Sequence, residues 1–66
     1  MTLHEYDVVR LLRPLPEHGL SKGATGAVVM VFDNPRAYEV EFCDAEGVTL
    51  ALVTLEEQDL ERVAQA

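Results

Sequence analysis

The 66-residue chain has little with which to staple itself. It holds one cysteine, Cys43, so no disulfide can form within a chain, and a lone thiol points to a reducing compartment such as the cytoplasm. His4, His18 and Cys43 stand in no ligand-type spacing, so no metal site is expected. Basic residues are scarce: 5 Lys and Arg stand against 12 Asp and Glu, a formal charge of −7. Such a chain repels phosphate backbones and anionic membranes. It suits a basic protein partner, or simply stays dissolved. No apolar run approaches the roughly 20 residues that span a bilayer. Met1-Thr2-Leu3-His4-Glu5 has neither the basic start nor the apolar run of a signal peptide, so none is expected. Gly19, Gly23 and Gly26 lack the pattern of a phosphate-binding loop. Glu41, Asp44 and Glu46 match no calcium loop. No cofactor is expected.

What is present is a small β-domain. Residues 1–66 make one domain at most, and a chain this short buries only roughly 60% of its unfolded surface. Its 48% hydrophobic content still allows a core. The organising stretch runs from Gly19 to Phe32, a glycine-punctuated turn feeding an apolar strand, Thr25 to Phe32. Ala27, Val29 and Val31 fall on one face of that strand by parity, and Val28, Met30 and Phe32 on the other. Before it, Tyr6 to Arg13 reads as a strand whose charges alternate poorly, which suits a sheet edge. Pro14 and Pro16 stop it and open a long loop that Leu15 and Leu20 could pin from beneath. After it, Asp33-Asn34-Pro35-Arg36 signals a turn. Ala37 to Asp44 alternates cleanly, with Tyr38, Val40 and Phe42 inward and Glu39 and Glu41 outward. A turn with Gly47 in the left-handed conformation leads to a fourth strand, Val48 to Thr54. Thr54-Leu55-Glu56-Glu57 has the spacing of a capping box and predicts one short helical turn. Asp59 to Val63 then reads as a last short strand, with a C-terminal helix from Thr54 as the alternative. The sum is a mainly β, five-stranded SH3-like barrel, an arrangement that reduces exposed sheet edges.

Tyr6-Asp7-Val8-Val9, Leu15-Pro16-Glu17-His18-Gly19-Leu20, Lys22 to Val29, Ala37-Tyr38-Glu39-Val40-Glu41-Phe42 and Val53-Thr54-Leu55 together resemble the bacterial domain-of-unknown-function 4926 family. The resemblance runs over nearly the whole chain. It implies a small stand-alone SH3-like protein and carries no catalytic role. Family members tend to be tiny separate bacterial proteins, which fits an accessory protein or an antitoxin-like or immunity-type inhibitor. Lys22-Gly23-Ala24-Thr25-Gly26-Ala27-Val28 also resembles the core of KOW-type modules, which often bind RNA through a basic surface. Here the stretch holds one lysine, and Glu39 and Glu41 lie on the neighbouring strand, so shared turn geometry is the expected meaning. A KOW-like nucleic-acid role stands as an alternative.

No constellation for catalysis emerges. Glu17 and His18 are adjacent and so point apart, with no nucleophile nearby. Cys43 shares a face by parity with Glu39 and Glu41, surroundings that make a thiol a poor nucleophile. The expectation is a non-catalytic protein-interaction module. Its partner-binding residues would be Tyr6, His18, Leu20, Tyr38, Glu39, Glu41 and Phe42, an aromatic groove beside the long loop with acidic residues to steer a basic partner. Strands two and four are apolar on both faces. Ala27, Val29, Val31, Ala51 and Val53 are therefore expected to form a second patch for self-association, giving a homodimer or larger assembly.

Overall fold

Period-two alternation builds the middle of the sheet. In β3 (Ala37–Cys43) Tyr38, Val40 and Phe42 are buried, and Glu39 and Glu41 face the other way. β2 (Thr25–Phe32) pairs with it antiparallel, Gly26 opposite Phe42 and Val28 opposite Val40. β4 (Thr49–Leu55) flanks β3 on the far side, placing Ala51, Val53 and Leu55 opposite Phe42, Val40 and Tyr38. β1 (Val8–Leu11) flanks β2, and β5 (Leu60–Ala64) lies beside β1. The computed structural model describes residues 2–65, and its five antiparallel strands form one sheet in the order β4-β3-β2-β1-β5. These are the five strands of the mainly β domain expected from the sequence, arranged as a meander whose last strand returns beside the first. All five strands send side chains into one core, so the sheet curls around its own apolar face.

Two 3-10 turns, Pro16–His18 and Glu57–Asp59, interrupt the strands where one was expected. The first sits in the long loop, where Pro16 presets its opening. Leu15 and Leu20 bracket it with mutual backbone hydrogen bonds of 2.9 and 3.1 Å, and both are buried. The loop is thus pinned by the two leucines that its sequence suggested. The second turn leads into a strand, so the C-terminal helix is not formed. Its capping differs from the expected Thr54 and Glu57 pair. β4 runs one residue further, because Leu55 is buried opposite Tyr38. The Glu56 N–H then donates to Asp59 Oδ2 at 3.0 Å.

Three further expectations are corrected. β1 is an interior strand, not an edge, because its irregular charges are matched by those of β5. The N-terminal segment, which reads from its sequence as a short polar lead over residues 1–5, places Leu3 fully buried in the core. In β2 a bulge between Val28 and Met30 shifts the alternation by one residue. Beyond it Val31 lies opposite the buried Tyr38 and packs on the core, whereas Met30 and Phe32 turn outward. Gly26 belongs to the strand and serves close approach. A Cβ there would stand 2.7 Å from the Glu41 carbonyl oxygen and 2.9 Å from Phe42. Gly47 has the left-handed φ of +83° that its turn requires.

Candidate interaction surface

The flank made by β1 and β5 is closed by charge. Read along β1, Asp7, Arg10 and Arg13 meet Arg62, Glu61 and Asp59 read backward along the returning chain. Arg10 Nε donates to Glu61 at 3.1 Å, Arg13 Nε to Asp59 at 2.9 Å, and Arg62 Nη1 to Asp7 at 3.4 Å. Asp7 is 1% exposed and also accepts from the His4 N–H at 2.8 Å. Partial burial pushes the Asp59 carboxyl upward. The hydrogen bonds from Arg13 and the Glu56 N–H, together with the Arg13 charge, outweigh it and hold Asp59 below its ordinary value. The same contact raises the Arg13 guanidinium. These pairs are structural, since each group is spent on another.

A second network ties the N-terminal lead to the sheet. Arg36 Nε donates to the Tyr38 hydroxyl at 2.7 Å, and that hydroxyl donates to Glu57 at 3.0 Å. Arg36 also reaches Asp33 at 3.2 Å and the Leu3 carbonyl at 3.0 Å. Tyr38 is therefore a buried anchor with a satisfied hydroxyl.

The opposite flank is open. On the outer face of β2, β3 and β4, Glu41 stands between Ala27 and Leu52, and Glu39 between Met30 and Thr54. Thr49 and Thr54 hydroxyls donate to Glu41 and Glu39 at 2.7 and 2.6 Å, fixing both carboxylates on this face. Neither forms an ion pair among the described residues. Around them lie exposed apolar side chains: Met30 and Phe32 on β2, and Leu50 and Leu52 on β4, the leucines each 55% exposed. Two charges set in an apolar surround give a face able to hold a partner by contact area and orient it by charge.

The expected site residues distribute unevenly over this geometry. Glu39 and Glu41 share the open face. Tyr38, Phe42 and Leu20 are buried in the core and cannot wall a groove; the inward parity that made them core candidates removes them from the surface. Tyr6 and His18 are exposed on other parts of the chain. Of the expected self-association set, Ala27 and Val29 are half-buried, while Val31, Ala51 and Val53 pack against the core. Their outward-facing neighbours Met30, Phe32, Leu50 and Leu52 are the exposed apolar side chains instead. Asp7, Arg36 and Arg62 escaped the sequence reading. The reversed charge order of residues 7, 10 and 13 against 62, 61 and 59 was the signal that could have found two of them.

Among the described residues no cleft forms, and no group of three His, Cys, Asp or Glu side chains is arranged to hold a metal ion. No helix is long and apolar enough to cross a membrane. Cys43 is exposed and unpaired. No curated protein and no solved structure matches the chain. One family model does, described as Domain of unknown function (DUF4926), over residues 5–62.

Proposed function

The chain belongs to the DUF4926 family, and we propose that it works there as a non-catalytic protein-interaction module. The observation that carries this reading is the open face of β2 to β4, where Glu39 and Glu41 sit among Met30, Phe32, Leu50 and Leu52. A basic protein partner fits it. The net charge of −7 raises the encounter rate with such a partner. The two carboxylates orient it, and the apolar side chains supply contact area. An exposed face without a cleft suits a protein surface better than a small substrate. The exposed, unpaired Cys43 favours a reducing compartment such as the cytoplasm. The acidic surface argues against a nucleic-acid ligand.

The test is affinity capture from the source cell extract, at low and moderate salt, with the wild-type chain and a Glu39→Lys/Glu41→Lys variant side by side. The expected result is one stoichiometric basic protein held by the wild type, released as salt rises and absent from the folded variant. Equal recovery by both chains would overturn the assignment of this face.

A further inference from the structure

β4 is the free edge of the sheet, and it is unguarded. No backbone hydrogen bond reaches Thr49–Leu55 from any element but β3 among the described residues, and no other element runs along it. From Val48 to Leu55 the sequence has no charge and no proline, the two devices by which edge strands usually block pairing. The other edge, β5, has both a shorter length and charges: Glu61 and Arg62 lie within it, and Arg62 also reaches the Thr2 carbonyl at 3.3 Å.

We propose that the β4 edge pairs with the β4 edge of a second copy of this chain, giving a two-fold dimer with one continuous ten-stranded sheet. The pairing is antiparallel, since a two-fold axis normal to the sheet reverses the strand. Partners across an antiparallel seam point to the same face. Leu50 and Leu52 therefore meet the leucines of the other copy on the outer side. With Leu50 opposite Leu52 of the other copy, Ala51 lies opposite its own counterpart on the inner side and Val53 flanks it, which gives a seam role to two of the residues expected to self-associate. Charge permits a second copy here and draws a basic foreign strand elsewhere. The seam itself is neutral. Glu39 and Glu41 lie one strand back, three inter-strand spacings from their counterparts. That distance is about 14 Å, beyond the screening length of about 8 Å. A basic foreign segment is drawn to those carboxylates on the face, not to the uncharged edge. The arrangement also terminates, because both outer edges of the dimer are the charged β5 strands, so a closed pair forms and not a fibre. The dimer shares Leu50 and Leu52 with the partner face proposed above but leaves Glu39 and Glu41 open on both copies, and it is tested on the purified chain without that partner.

The experiment is sedimentation of the purified full chain from low to high micromolar concentration. It is run with Leu52→Lys and, as a second disruption should that variant lose its fold, Leu50→Lys. Val63→Lys on β5 is the control. Amide hydrogen exchange is followed on the same samples. The wild type is expected at twice the 7.3 kDa mass of one chain, with amides of β4 slowing as concentration rises. A folded β4 lysine variant is expected to weaken the dimer on the order of tenfold or more, by setting like charges across the seam. Val63→Lys should leave it unchanged. A wild type of single-chain mass throughout would overturn the proposal. So would a dimer that both lysine classes affect alike, or one whose β4 amides keep exchanging at the rate of the dilute sample.

Discussion

The two edges of one sheet are treated in opposite ways. Toward β5, each charged side chain is given a partner: Asp7 with Arg62, Arg10 with Glu61 and Arg13 with Asp59. Three of the five basic residues are used there. Toward β4, the strand has no charge at all, and the acidic pair Glu39 and Glu41 next to it is held by threonines. The contrast teaches where each half spends its polar groups. The β5 side spends them on one another and so fastens the returning chain to the sheet. The β4 side leaves apolar area and negative charge available for contact.

The difference can be broken on the closed side first. Asp7→Ala removes a buried carboxylate that takes hydrogen bonds from the His4 N–H and from Arg62. Breaking a buried pair of this kind costs about 3 kcal/mol. That is a large share of the margin of about 5 kcal/mol expected for so small a domain. The urea midpoint should fall accordingly. Tyr38→Phe keeps the ring in the core and deletes the hydroxyl between Arg36 and Glu57. A loss of about 1 to 2 kcal/mol in chemical denaturation is expected.

The smallest effect is in acid. The folded-state pKa of Asp59 is lowered, so its contribution to stability is fully present above the unfolded value of about 4 and is lost as pH falls through the lower folded value. Thermal melts from neutral pH down to that range should show this loss. Arg13→Ala should flatten it, because the Arg13 hydrogen bond is the largest influence lowering that carboxyl. An unchanged acid slope in Arg13→Ala would show that the flank of β1 and β5 does not depend on this pair.

Much of the fold was legible because local signals agreed with the global arrangement. The alternation of Tyr38, Val40 and Phe42 with Glu39 and Glu41, the turn at Asp33 to Arg36 and the positive φ at Gly47 each rest on a few neighbouring residues. What stayed hidden was non-local. The β2 bulge exchanges Val31 for Met30 on the outer face, and nothing within residues 25–32 announces it. β1 looked like an edge because its matching charges lie some fifty residues away. The aromatic groove failed for a related reason: in a core this small, Tyr38 and Phe42 are needed inside. Glu39 and Glu41 kept their expected place on the outer face, since outward parity and charge both required it, whereas the exposed Tyr6 and His18 lie elsewhere.

The most direct measurement compares two charge reversals of equal size. Glu39→Lys/Glu41→Lys changes the open face, and Glu5→Lys/Glu17→Lys changes exposed positions elsewhere. Both raise the net charge by the same amount. In capture from the source extract at low salt, the account predicts that the first variant loses the basic partner and the second retains it. Equal loss from both would mean that overall charge, and not this face, governs the contact. Retention by both would remove the face from the function altogether.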